Sequence, residues 1–244
     1  MSKNAIITGA NRGIGRALLE AFARNGYDVW ACARKQTAEF EEHLEKIRAE
    51  TGQRIKPVYF DLSDEEAVKQ GIKAILSEKR AVNVLVNNAG VAHGGLLTMT
   101  SLTALREVYE VNLFSQVLLM QHTARVMMRQ QSGCIINMCS VGGMEANPGY
   151  LAYGSSKAAL IWITKAVSKE LGRYHIRVNG IAPGLIDTDM GRYKSEEELQ
   201  KVKSRMSLGR IGTPEEVAQA AVYLASEEAA YITGHILVLD GGRL

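Results

Sequence analysis

Asn4-Ala-Ile-Ile-Thr8-Gly9-Ala-Asn-Arg12-Gly13-Ile-Gly15 decides how the rest of the chain is read. Residues 4–8 form a short apolar run suited to a buried strand, and an amphipathic helical pattern follows to about Asn25. Between them, glycines at 9, 13 and 15 remove side chains that would block a ligand. Backbone N–H groups and the positive end of the helix then face outward together, an arrangement suited to a pyrophosphate. In outline, the turn is a dinucleotide site.

The next apolar run, 28–33, bears on which dinucleotide fits. An acidic residue here would bond a ribose 2′-hydroxyl and repel a 2′-phosphate, but the chain continues Ala33-Arg34-Lys35. Arg34, with Arg12 from the glycine turn, can pair with a 2′-phosphate, which makes NADP(H) the expected cofactor. The alternative, that Arg34 and Lys35 only open the solvated helix expected over 38–50, stays open.

Strand and helix patterns keep alternating. Strands are expected at 55–60, 82–86, 134–139, 176–181 and 235–239. Ser63-Asp-Glu-Glu66 reads as a capping box opening one helix, and Thr213-Pro-Glu-Glu216 as the cap of the last. A single long helix is expected over 103–130. Connections too long for hairpins imply an α/β fold: a Rossmann-type doubly wound parallel sheet of seven strands with helices on both faces. No linker, repeat or low-complexity tract divides the 244 residues, so a single domain is expected. The cofactor should cross the carboxyl edge of its sheet.

Composition excludes several function classes. With 46% hydrophobic and 23% charged residues, the chain has the makeup of a folded globular protein, not a disordered one. The net charge of +3 is spread without a basic run, so no nucleic-acid partner is expected. No stretch of about 18 apolar residues offers a membrane span, and Met1-Ser-Lys-Asn4 passes straight into a strand, so a cytoplasmic protein is expected. Cys32, Cys134 and Cys139 show no metal-ligand spacing; they are expected as reduced, buried thiols, with no metal site.

The chemistry gathers around Tyr153-Gly-Ser-Ser-Lys157. On a helix, a spacing of four sets both side chains on one face, where an ammonium favours the ionised form of a phenol. A free tyrosine, with a pKa of about 10, is a poor proton-transfer group at neutral pH without such a neighbour. Ser140, after the apolar run 134–139, can bond the same substrate oxygen. Asn112 is different. A mid-helix Asn is unfavourable unless its amide or the local backbone has something to bond, and read alone it is a surface residue. From Asp187 to Ser207 the alternation breaks, and Ser195-Glu-Glu-Glu198 signs a short charged helix. An insertion there reads as a substrate lid, the alternative being a solvated connector.

Thr8-Gly9-x-x-x-Gly13-x-Gly15, Asp61, Asn87-Asn-Ala-Gly90, Asn112, Ser140, Tyr153-x-x-x-Lys157 and Pro183-Gly184 stand in one order along the whole chain. In this the sequence resembles the short-chain dehydrogenase/reductase family, in its branch of roughly 250 residues. The resemblance implies a role for each matching residue. Tyr153 would be the acid/base, Lys157 would lower its pKa and hold the nicotinamide ribose, Ser140 would orient the carbonyl, and Asn112 would complete a proton relay through a water near Lys157. Gly9, Asn11, Arg12, Gly13, Ile14 and Gly15 would form the phosphate turn. Asp61 and Leu62 would meet the adenine, and Asn88, Ala89 and Gly90 would line the nucleotide path. Pro183, Gly184, Ile186 and Thr188 would lie along the nicotinamide end.

Within the family, Gly184-Leu-Ile-Asp-Thr-Asp-Met190, Leu208-Gly-Arg-Ile-Gly212 and Tyr231-Ile-Thr-Gly234 are similar to bacterial 3-oxoacyl-[acyl-carrier-protein] reductases. That likeness implies NADPH-dependent reduction of a 3-oxoacyl thioester, an acyl carrier protein as partner, and a homotetramer. Where those reductases commonly carry two arginines facing the carrier protein, this chain has Gln131 and Tyr174, with Arg129 and Arg173 close by. Two other readings stand beside this one: a family oxidoreductase for another ketone or secondary alcohol, and a non-catalytic NADP-binding protein. The intact set Asn112, Ser140, Tyr153 and Lys157 argues against the last.

Overall fold

The computed structural model describes residues 3–189 and 196–243. Its first half runs β1 (Lys3–Thr8), α1 (Gly13–Arg24), β2 (Tyr27–Ala33), α2 (Ala38–Thr51), β3 (Ile55–Tyr59), α3 (Glu65–Leu76) and β4 (Val84–Asn87). The second continues through α4 (Leu102–Tyr109), α5 (Ser115–Gln130), β5 (Gly133–Met138), α6 (Leu151–Leu171), β6 (Ile176–Pro183), α7 (Glu196–Lys203), α8 (Pro214–Ala225) and β7 (Ile236–Leu239). The seven strands form one sheet in the order β3-β2-β1-β4-β5-β6-β7, parallel at every pairing. This is the expected doubly wound α/β fold. The winding reverses between β1 and β4, and open α/β sheets take ligands in the crevice such a reversal leaves at the carboxyl edge.

Alternation along the strands divides the core into two layers. Ala5 and Ile7 of β1 point to one face, with Val29, Val86 and Ile136, and are covered by Leu18 and Phe22 of α1, Leu44 of α2 and Val217 of α8. Ile6 points the other way with Trp30, Leu85, Ile135 and Val178, under Val68 and Ile72 of α3 and Leu119 and Met127 of α5. Burying each Val, Leu, Ile, Phe or Met side chain among them contributes roughly 1.5–3 kcal/mol. A parallel sheet covered on both faces follows from this pattern.

Four local features depart from the sequence reading. The helix expected from 103 to 130 is interrupted: Glu110–Phe114 takes a π turn between α4 and α5, with Ser115 N donating to Glu110 O. Helix α3 is capped by Asp64, whose carboxylate accepts from Glu66 N at 2.9 Å and Ala67 N at 3.1 Å. Ser63, the expected cap, donates instead to Asp61. Val82 leaves the β4 ladder because the Gln130 amide brackets it, accepting from Val82 N and donating to Val82 O, each at 2.9 Å. Strand β6 runs two residues past the expected Ile181, to Pro183, because β7 pairs with it that far.

The α8 cap is as expected. Thr213 Oγ1 accepts from Glu216 N, Glu216 Oε2 accepts from Thr213 N, and Pro214 follows the cap. All three cysteines are free and buried. Among the described residues, no helix is long and apolar enough to cross a membrane, and no group of three or more His, Cys, Asp or Glu could hold a metal ion.

Candidate active site

At the reversal point the ends of β1 and β4 are stitched together. Thr8 Oγ1 accepts from Asn88 N and Ala89 N, each at 3.0 Å, and Asn88 Nδ2 donates to Thr8 O at 2.9 Å. Ala10 N donates to Cys32 O and ties the turn to β2. The fit leaves no room for side chains: a Cβ on Gly15 would sit 1.9 Å from Gly9 O, and one on Gly9, at φ +67°, 3.1 Å from Ala89. Gly13, at φ +52°, faces Thr188, whose Cγ2 would lie 3.3 Å from a Cβ there.

The first turn of α1 carries no acidic residue, and its N-cap, Arg12, supplies no side-chain cap. Those amides and the helix dipole therefore remain for an external anion. Asn11 and Ile14 sit half-buried beside the cradle, and Arg12 is exposed. The arrangement fits a pyrophosphate.

Along the same edge, Arg34 and Lys35 emerge exposed after β2. Asp61, after β3, accepts from Ser63 N at 2.9 Å and Ser63 Oγ at 2.8 Å. The Ser63 amide, the Ser63 hydroxyl and the nearby Arg34 and Lys35 charges hold the Asp61 carboxyl below the usual carboxylate range, against partial burial. Leu62 turns into the core.

On the other side of the reversal point, β5 and α6 build a second cluster. Lys157 is 3% exposed, and its Nζ donates to Met138 O at 2.7 Å. Burial pushes its pKa down to about 8. The same ammonium lies 6.0 Å from the centre of the half-buried Tyr153 ring. Tyr150 packs edge-on against Tyr153 with ring centres 6.0 Å apart.

Ser140 caps the short 3-10 turn Val141–Gly143 and accepts from Gly142 N at 3.0 Å. That turn rests on α6 at the level of Lys157: a Cβ on Gly143 would lie 2.7 Å from Lys157 C and Ala158 N. The turn that Ser140 caps is thereby seated on the helix that carries Tyr153 and Lys157.

Asn112 is fully buried in the π turn. Its Nδ2 donates to Val91 O at 2.9 Å and Ser156 Oγ at 3.1 Å, and its Oδ1 accepts from Val91 N at 2.8 Å. The amide thus fastens the chain just after Gly90 to α6. Gly90 marks the convergence, since a Cβ there would lie 3.2 Å from Asn112 Oδ1 and 3.5 Å from Lys157 Nζ.

Beyond β6, the backbone of Gly184 passes so close to Asp240 that a Cβ on Gly184 would lie 2.9 Å from Asp240 Cα. Ile186 pairs with Gly212 in an isolated bridge and points its side chain into the core. Ser195 and Met190 lie outside the described residues, as does the stretch between them.

The edge thus gathers nearly all the residues singled out from the sequence. Two do not join it. Gln131 follows α5 and Tyr174 follows α6, at the amino ends of β5 and β6, the sheet edge opposite Ser140. Arg173 stacks on the Tyr174 ring at 4.9 Å. A protomer cannot present these positions to its own cleft.

Other contacts matter that the sequence reading passed over. Asn87 Nδ2 donates to Asn137 Oδ1, and Asn137 Nδ2 donates to Thr164 Oγ1, each at 2.9 Å. Gln116 Nε2 donates to Ala89 O at 2.9 Å. These buried amides cross from β4 to β5 to α6 and fix the floor of the site. Their signal was an amide inside an apolar strand, Cys134-Ile-Ile-Asn-Met-Cys139.

Fold and site define an oxidoreductase with a nicotinamide cofactor. A family model described as Enoyl-(Acyl carrier protein) reductase matches residues 9–243. The 3-oxoacyl-[acyl-carrier-protein] reductase FabG of Chlamydia muridarum is 37% identical over 242 residues, covering 99% of this chain and 97% of the relative. That of Aquifex aeolicus is 38% identical over 240 residues, 98% of this chain and 96% of the relative. Among solved structures, acetoin dehydrogenase YohF from Salmonella typhimurium is similar with a TM-score of 0.90 and 33% identity, over 100% of this chain and 97% of that one. The chain belongs to the short-chain dehydrogenase/reductase family.

Proposed function

We propose that the protein is a cytoplasmic NADPH-dependent carbonyl reductase that converts a 3-oxoacyl thioester to the 3-hydroxyacyl product. The family model's description names an enoyl reductase and the relatives' names a 3-oxoacyl reductase, so the reading also draws on the site. The observation that carries it is a buried ammonium, fixed to Met138 O and 6.0 Å from the centre of the Tyr153 ring, on the helix against which the turn capped by Ser140 rests. That pairing serves proton transfer to an oxygen, which a carbonyl reduction needs.

In this reading Gly9, Asn11, Arg12, Gly13, Ile14 and Gly15 hold the pyrophosphate. Arg34, with Arg12, pairs with the 2′-phosphate and sets the preference for NADP(H). Asp61 and Leu62 flank the adenine, and Asn88, Ala89 and Gly90 line the path to the nicotinamide. Pro183, Gly184, Ile186 and Thr188 border its carboxamide end. Bound there, the reduced nicotinamide supplies a hydride.

The chain's own residues do the rest. Tyr153 gives its hydroxyl proton to the carbonyl oxygen, and the Lys157 charge stabilises the phenolate left behind. Ser140 Oγ already accepts from Gly142 N, so its own proton is available to the substrate oxygen. The Asn112 side chain, spent on Val91 and Ser156, positions the loop at Gly90; a relay of protons through this residue would run by the backbone of the π turn. Matched proton transfer of this kind contributes typically 10²–10⁴-fold. Residues 187–207 would act as a substrate lid.

A second reading, an oxidoreductase of small ketones, draws on the likeness to acetoin dehydrogenase and on Gln131 and Tyr174 in place of basic residues. NADPH oxidation by the purified protein separates the two. Turnover of acetoacetyl thioesters well above that of acetoin-like ketones supports the first; no thioester turnover alongside turnover of small ketones would replace it.

A homotetramer fits the outward faces of α4, the π turn and α6, where Leu102, Phe114 and Trp162 are 65%, 53% and 73% exposed. Sedimentation would show a mass four times that of the chain.

A further inference from the structure

Glu145 and Arg243 stand 98 residues apart and meet in the fold, with Arg243 Nη2 2.8 Å from Glu145 Oε2. Glu145 belongs to the stretch behind Ser140, Val141-Gly-Gly-Met-Glu-Ala-Asn-Pro-Gly-Tyr150, and is its one charged side chain at neutral pH. With Met144, Asn147, Tyr150 and Leu151 it lines a cavity of about 340 Å³ against the start of α6. Within the stretch Glu145 N donates to Val141 O at 2.9 Å, and its far end is held where Gly95 N donates to Gly149 O at 3.0 Å.

Arg243 reaches Glu145 from an anchored backbone. After β7 the chain passes through Gly241 at φ +70° and Gly242 at φ +77°. Leu208 N donates to Gly241 O, and Ser207 Oγ donates to Gly242 O, each at 3.0 Å. A Cβ on Gly242 would sit 2.8 Å from Ser207 Oγ, so this close approach requires glycine. Residues 240–243 therefore join two walls that sequence keeps apart: the Ser207–Leu208 backbone and the stretch behind Ser140.

We propose that Arg243 is a positioning residue for the substrate. Its pair with Glu145 fixes the stretch 141–150, and so the wall of the cleft next to Ser140, without acting on the cofactor's site. This rests on the reductase reading. The pair is partly exposed, with side chains 21% and 44% accessible, so its influence is modest and weakens with salt. Its effect falls on where the ketone sits, and so on KM with kcat preserved.

The test uses Arg243→Ala, Glu145→Ala and the charge-exchanged pair Glu145→Arg with Arg243→Glu, in the full-length protein. Each single change should raise the ketone KM by up to about fivefold, as an exposed ion pair allows. kcat and NADPH affinity should stay within about twofold, and the exchanged pair should restore KM. Amide exchange across 141–150, measured with NADP bound, should quicken in both single variants and recover in the exchanged pair. That readout needs no turnover, so an enzyme that reduces no ketone would refute the reductase reading while exchange still decides the pairing. An unmoved KM in Arg243→Ala, unmoved exchange in both single variants, or an exchanged pair no better than the singles would overturn the proposal.

Discussion

The two ends of the carboxyl edge use opposite physics. Around Gly9, Gly13 and Gly15 the chain leaves backbone amides and a helix end facing outward and buries no charge, so recognition there is a matter of shape and dipole. Around Lys157 it buries a cation and a set of amides, Asn112, Asn137 and Asn87, each bonded to a neighbour. In the proposed function the first region binds and the second reacts. A buried ammonium costs stability that a binding site alone has no use for.

That contrast can be broken most severely in the binding half. Gly15→Val should abolish NADPH binding, a loss beyond a thousandfold by equilibrium fluorescence, because its side chain would occupy the space of Gly9 O. Retained affinity would mean that the turn is not the phosphate cradle.

Lys157→Met sharpens the contrast from the other side. Turnover should fall by roughly 10²–10⁴-fold, yet the cofactor-free protein should become more stable at pH 7, by about 1–3 kcal/mol in denaturant melts. The sign follows from linkage. The folded chain releases this proton near pH 8, the unfolded chain near 10.4, so between those values the unfolded state holds more protons and stability gained from this site rises with pH. The advantage of Lys157→Met should shrink across that window. A variant destabilised at pH 7 would show that the bond to Met138 O outweighs the burial of charge.

Arg34→Asp should change which cofactor is preferred and leave the chemistry in place: the ratio of kcat/KM for NADPH over NADH should fall by roughly 10–100-fold. An unchanged ratio would leave Arg34 as a solvated helix start. Smaller again, Asn112→Ala removes three hydrogen bonds of a buried amide and should cost about 3 kcal/mol of stability, with a matching loss of order in the Val91 segment.

The same division governs what the sequence disclosed. The nucleotide half is local: strand, glycines and helix follow one another within about a dozen residues, and Arg34 stands at a fixed place after β2. Tyr153 and Lys157 were legible because helical spacing alone sets them on one face. The bonds of Asn112 were not, since its partners Val91 and Ser156 lie 21 and 44 residues away. Ser63 and Asp64 both carry oxygens suited to a cap, and only the geometry of the Asp61 turn decides between them. Gln131 and Tyr174 stand where related reductases carry arginines, and only strand direction shows that both lie on the sheet edge away from Ser140.

In the proposed reaction Lys157 holds the Tyr153 phenol ready to protonate a carbonyl beside bound cofactor. Tyr153→Phe tests it most directly, by NADPH oxidation with an acetoacetyl thioester and by NADPH affinity in the same preparation. We expect kcat to fall by roughly 10³-fold with affinity changed by less than about threefold. Turnover close to wild type in that variant would contradict the account.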